Sequence, residues 1–232
     1  LKKLFNNSIV KLHFDEKFIK SAESPEGELI VLKEKVYVDT DKGASGVEQW
    51  LRQFEQQLKN TLKQIFFDAI IQFNRKSQWN QMLNLPSQIL SIVQWVLFTE
   101  NIENSIRTYN YDDVKSQYQN QLYSLTNYQN DSSFDGIINI KIKSLVLDTI
   151  HFLSVITQLA SHSVKDINEW IWQKQLRFYS MTVNRDKKLL IKMGNSSFEY
   201  SFEYLGCFGG AKLVHTPLTD KCYLTLTQGK GL

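Results

Sequence analysis

The chain has 232 residues and a mass of 27.1 kDa, long enough to bury roughly 70–75% of the surface its unfolded form exposes. Its 27 Lys and Arg stand against 24 Asp and Glu, a balance too even to nominate nucleic acid or an anionic membrane as partner. Aromatics at 12% with 3 Pro and 10 Gly exclude disordered and collagen-like compositions, and the 2 cysteines, Cys207 and Cys222, are too few for a disulfide framework, so a reducing compartment is expected.

Residues 8–40 read as β. Val10, Leu12 and Phe14 alternate with polar neighbours, as do Leu29 and Val31, and Val36 and Val38 repeat the pattern. Ser24-Pro25-Glu26-Gly27 between them is turn chemistry, with Pro presetting φ and Gly free to make it positive. No Gly lies between Gly46 and Gly136, and Pro86 is the only Pro there, which predicts helices. From Val47 the period changes. Trp50, Leu51, Phe54, Leu58, Leu62, Ile65, Phe66, Ala69, Ile70 and Phe73 follow at spacings of three and four, one apolar face over about 40 Å at 1.5 Å per residue.

Pro86 sits where a first-turn proline belongs, ahead of Ile89, Leu90, Val93, Leu97, Ile102 and Ile106. A third helix carries Tyr111, Val114, Tyr118, Leu122 and Leu125, with Asn110 or Asp112 as cap. After the loop Asn130-Asp131-Ser132-Ser133, a fourth runs from Ile138 through Phe152 to Leu159, and Ser163 or Asp166 caps a short fifth with Trp170 and Trp172. The pattern then returns to β. Leu176 to Val183 is aromatic and β-branched, and Asn184-Arg185-Asp186-Lys187 is a turn. Leu189, Ile191 and Met193 alternate, as do Phe198, Tyr200, Phe202 and Tyr204. The fold class is α+β: a mainly α-helical bundle of four long helices, with a β hairpin or meander before it and an antiparallel β meander after it.

Asn and Gln, at 16 and 18 residues, make about one residue in seven. They are scattered over amphipathic segments, so they read as polar helix faces rather than prion-like tracts. No apolar run reaches the roughly 20 residues of a membrane span. With Leu1 in place of Met, the chain reads as a piece of something longer.

Catalytic constellations are not visible, and the expectation is no catalytic residue and no metal site. Of the 4 histidines, His13, His151, His162 and His215, the middle pair lie on one helix about 16 Å apart, too far to share a metal. Cys207 and Cys222 lack zinc spacing. Glu199 and Glu203 lie on one strand face as solvated charges. Gly206-Cys207-Phe208-Gly209-Gly210 lacks the Lys-Ser/Thr of a Walker loop, and the terminal Gly229-Lys230-Gly231 stops short of one.

The tail carries a family resemblance. Leu213-Val214-His215-Thr216-Pro217-Leu218-Thr219-Asp220-Lys221-Cys222-Tyr223-Leu224-Thr225-Leu226-Thr227-Gln228 resembles the segment that opens the first AAA+ module of dynein heavy chains. Upstream, Trp172 to Tyr179 and Phe198 to Gly206 look like the end of the dynein linker. Val47-Glu48-Gln49-Trp50-Leu51 resembles a helix start in that linker, and Ser24-Pro25-Glu26-Gly27-Glu28 its preceding hairpin. Pro86 to Leu90, Phe98-Thr99-Glu100, His215 and Lys221 look most like the cytoplasmic dynein 2 branch, which implies retrograde intraflagellar transport.

The resemblance divides the chain into a β-rich linker segment (1–46), a helical linker bundle (47–175), a β meander at the linker end (176–206) and the start of the AAA+ module (207–232). It implies a mechanical lever of a minus-end-directed microtubule motor, with no activity of its own. ATP or ADP with Mg²⁺ would serve the parent protein as cofactor, and Val214, Thr216, Pro217 and Leu218 would touch the adenine. Implied partners are the molecule's own AAA+ ring, dynein intermediate and light chains, and microtubules, with no nucleic acid and no membrane span. The implied location is cytoplasm, cytoskeleton and cilium. Cys207-Phe208-Gly209-Gly210 departs from the family pattern. The competing reading is a helical scaffold that binds partners through an apolar groove, with the tryptophans as anchors.

Overall fold

A computed structural model describes residues 5, 7–39, 43–74, 77–129, 136–184, 186–207 and 214–230. The expected loop at 130–133, Arg185 of the expected turn, residues 208–210 and Leu213 lie outside them. The first sheet is antiparallel, in the order β1 (Lys11–Asp15), β2 (Phe18–Glu23), β3 (Leu29–Tyr37). Ser24 closes the β2–β3 turn: its Oγ accepts the Glu26 and Glu28 amides, and Gly27 takes φ of 88°. The facing of β3 corrects the sequence reading. Ile30 and Leu32 are buried while Leu29 and Val31 are exposed. A register shift after His13 likewise leaves Phe14 at the surface.

Helix α1 (Gly43–Gln72) lies along β3, and starts four residues before the Val47 that opens the apolar period. Phe54, Leu58, Leu62, Phe66, Ala69 and Phe73 are buried, as their spacing requires. Thr61 Oγ1 accepts the Lys33 amide at 3.1 Å, tying helix to sheet. A single 3-10 turn at Trp79–Met82 leads to α2 (Ser87–Thr108). Pro86 is the residue before this helix rather than its first, with ψ of 142°.

The hub of the fold is α2, in contact with α1, α3 (Tyr111–Gln129), α4 (Gly136–Ser161) and the later strand β4 (Arg177–Val183). The sequence shows one apolar face on α2, but Ile92, Trp95, Val96 and Phe98 are buried too, so its first turns are covered on nearly all sides, while Glu100, Asn104 and Arg107 are exposed nearer its end. Phe98 stacks on Phe152 of α4 with centroids 4.0 Å apart, and Tyr118 and Trp172 close on the pair edge-on. Asn110, not Asp112, sits at the start of α3, where its Oδ1 accepts the Asp113 amide.

Helix α4 bears on the expectation about apolar runs, for its sequence is broken by Lys141, Lys143 and Asp148 and yet is apolar overall. Among the described residues it is the one helix long and apolar enough to cross a membrane. Half of its apolar window is buried inside the protein, and Lys141 and Asp148 on it are buried as well, so it reads as a core helix. The fifth helix, α5, is a single turn (Trp170–Gln173), capped by neither Ser163 nor Asp166 but preceded by Glu169, whose Oε1 accepts the Lys165 and Asp166 amides.

The second sheet is antiparallel in the order β4 (Arg177–Val183), β5 (Asp186–Met193), β6 (Ser196–Glu199). Thr99 Oγ1 of α2 accepts the Phe178 amide at 3.1 Å and seats β4 on the hub. Strand pairing stops at Glu199, so the alternating run does not continue as a strand. Tyr200, Phe202 and Tyr204 still turn inward along a strap that the Tyr200 amide ties to β5 by donating to Leu189 O at 2.9 Å, and Phe202 takes φ of 55°. Glu203 therefore sits off the strand, exposed like Glu199, which pairs with Lys188 at 2.8 Å. Gln88, fully buried, clamps the strap. Its Nε2 donates to Tyr200 Oη and Glu203 O, and its Oε1 accepts the Leu205 amide.

The last element, α6 (Pro217–Lys230), was not read from the sequence. It rests on β5 and β6, where Ser196 Oγ donates to Thr227 O at 2.9 Å. One hydrophobic core runs from Ile9 to Tyr204, and α6 adds no described residue to it.

Candidate functional site

The tail residues gather where α6 begins. Thr216 precedes the helix and Pro217 is its first residue. Thr216 Oγ1 accepts the Thr219 amide at 3.2 Å, while Thr219 Oγ1 accepts the Thr216 amide at 2.8 Å. This is a capping box with Thr in place of the usual Glu at the third helical position. The four residues expected beside adenine lie together here and all are exposed. Val214 is 57% and Leu218 71% exposed, with Thr216 and Pro217 between them. Leu226, two turns beyond Leu218, is 66% exposed, so α6 carries an uncovered apolar stripe on the side away from β5 and β6.

Beneath this turn the structure unites residues that spacing kept apart. His215 stacks on His151 of α4, ring centroids 4.0 Å apart and planes inclined by 28°. Both imidazoles lie against the indole of Trp95, at 5.6 Å and 5.4 Å. Asp148 fixes that indole by accepting from Trp95 Nε1 at 3.2 Å, and accepts from Ser91 Oγ at 3.0 Å. Asp220, in the first turn of α6, brings Oδ1 to 3.8 Å from His215 Nδ1. A cleft of about 320 Å³ opens beside the group, walled by Gln158, Lys174, Lys221 and Leu224. His162, the expected face-mate of His151, lies past the end of α4 and is exposed.

Sequence reasoning missed this cluster because its members are 64 residues apart in the chain. The legible signal was Thr-Pro-Leu-Thr, a cap followed by a first-turn proline, which announces a helix start. Most of the tryptophans pack into the body of the protein, although Trp79 also lines a shallow cleft with Gln117 and Gln121. Trp79, Trp95 and Trp172 are buried, Trp50 is half-buried, and only Trp170 is more than half exposed.

Comparison with known proteins gives one consistent result. No family model matches the chain. It is 39% identical over 236 aligned residues to the human cytoplasmic dynein 2 heavy chain 1, covering 98% of the chain. The counterpart from Tripneustes gratilla is 36% identical over 99% of the chain, and that from Chlamydomonas reinhardtii 35% over 100%. The chain spans 5% of the length of each of these proteins. End-to-end similarity at this level, collinear with the helices and both sheets, places the chain in the dynein heavy chain family.

Proposed function

We propose that the chain is the carboxyl-terminal part of a dynein linker joined to the first helix of the first AAA+ module, and that it works as a lever. The observation that carries this reading is the division between core and tail. Residues from Ile9 to Tyr204 share one core, whereas α6 stands outside it with Val214, Leu218 and Leu226 uncovered. An apolar stripe of that kind suits the interior of a further module. The body fits the work of a lever, because long helices packed side by side around α2 resist bending.

A lever of this kind has two docked positions on the ring, selected by nucleotide. Driving a 1:99 preference to 99:1 requires about 5.5 kcal/mol of differential contact. A few apolar side chains suffice, since burying one contributes roughly 1.5–3 kcal/mol. Val214 and Leu218 suit one flank of an adenine ring, with Thr216 and Pro217 shaping the turn between them. The sequence has no Gly-rich loop ending in Lys-Ser or Lys-Thr, so phosphate and Mg²⁺ belong to other parts of the heavy chain. Microtubules and the intermediate and light chains likewise engage other parts. The setting in this reading is cytoplasm, cytoskeleton and cilium, with minus-end-directed retrograde intraflagellar transport as the task.

The test is made in the full-length heavy chain. Replacing Pro217 and Leu218 by Gly loosens the junction without touching the core. Microtubule gliding is expected to stop while ATP turnover continues. Gliding at the original speed would overturn the coupling role. Separately, Leu218→Ala is expected to raise the KM for ATP and leave the unfolding midpoint of the chain unchanged, and an unaltered KM removes Leu218 from the adenine flank.

A further inference from the structure

We propose that His151, His215 and Asp220 form a divalent transition-metal site, best suited to Zn²⁺, that clasps the start of α6 to α4. The inference does not depend on the lever reading. The donor atoms of the three side chains all lie within 4.8 Å of one another. A tetrahedral zinc with bonds of roughly 2.0–2.2 Å sets its ligands about 3.3 Å apart, so closing the site requires the donors to approach and the His215 ring to turn out of its stack on His151, until both ring-plane lone pairs point at one ion.

Two further features favour closure over coincidence. The chelate arm from α6 is preformed, because the Thr216–Thr219 box fixes the first turn and brings His215, just before the cap, back over Asp220. The same relation seats the hydrophobic staple of other helices, with ligands here in place of apolar residues. On the other side, His151 is buried and its ring lies on Trp95, which Asp148 holds in turn, so one ligand is rigidly set.

Two imidazoles and one carboxylate are borderline ligands that suit zinc more than magnesium or calcium, and they leave a fourth position for water. Lys174 and Lys221 line the same cleft, so the site is weaker than a closed four-ligand one. What it offers is a connection. α6 otherwise touches the body through β5 and β6, and a metal would tie it to α4 as well.

The experiment titrates the full chain, carrying His13→Gln and Cys222→Ser to remove two other surface donors, with zinc chloride by calorimetry. Cobalt(II) absorption reports the geometry, and magnesium chloride serves as the contrasting ion. One equivalent of zinc and a tetrahedral cobalt spectrum are expected, with no heat from magnesium. His215→Ala and Asp220→Asn lie outside the core and are expected to keep the circular dichroism while weakening zinc roughly tenfold or more. Zinc is also expected to slow amide exchange across α6. No stoichiometric uptake, or uptake that survives His215→Ala unchanged, would overturn the site.

Discussion

Glu28 is 4% exposed at the end of the β2–β3 turn, and it holds three elements at once. Its Oε1 accepts the Ser87 amide at 2.7 Å, placing a negative charge at the start of α2, whose own preceding residue, Pro86, offers no side-chain cap. Oε2 accepts from Tyr204 Oη at 3.0 Å, and Lys141 Nζ lies 3.8 Å from Oε1. Lys141 is satisfied further by donating to the carbonyls of Leu83 and Leu85. Burial first, then the Glu28 charge, pushes the Tyr204 phenol well above its ordinary range. Glu28→Ala strands a buried cation and an amide, and is expected to cost about 3–5 kcal/mol in urea unfolding. Adding Lys141→Met is expected to restore part of that loss, because the stranded charge goes with it. A double variant no better than the single one would show that the pair is not coupled.

At the scale of elements, α6 is held by its cap and by light contact with the second sheet. Thr216→Ala removes the Oγ1 that accepts the Thr219 amide and is expected to destabilise this helix by about 0.5–2 kcal/mol. Amide exchange across 217–230 should quicken accordingly, while exchange in the buried first turns of α2 stays as it was. Equal quickening in both helices would mean that α6 folds as one unit with the core.

The long helices were legible because their apolar residues recur at three and four over many turns, a period few other structures satisfy. The face of β3 was not. Leu29, Ile30, Val31 and Leu32 are all apolar, so alternation gives no sign of which pair turns inward. The strap after β6 kept its alternating burial but not its ladder, since beyond the Tyr200 amide, which still reaches Leu189 O of β5, the Gln88 side chain takes the Glu203 carbonyl and the Leu205 amide. The His151–His215 stack was beyond local spacing altogether. It depends on where α6 lands, which only the tertiary fold decides.

For the molecule as a whole, half-buried phenols set an alkaline limit. Burial raises Tyr111 and Tyr200 from an ordinary value of 10.0 to about 12. A Glu169 charge adds to the rise at Tyr111, and at Tyr200 the Gln88 amide opposes it. The folded state therefore keeps its phenol protons where the unfolded chain has lost them. This stabilisation is whole below pH 10 and shrinks as pH climbs from 10 towards about 12. The urea midpoint is expected to fall across that window, less steeply in Tyr200→Phe. A midpoint that stays level to pH 12 would show that these phenols ionise without resistance.

The two thiols differ in a way that has a practical use. Cys207 is buried where the strap ends, and burial raises its pKa, so little reactive thiolate forms there. Cys222 stands exposed on α6. A maleimide dye would choose the second by reactivity alone, putting a single fluorophore on the tail of the native sequence. Energy transfer to an acceptor placed on the body would then follow, in real time, whether α6 stays docked or swings away.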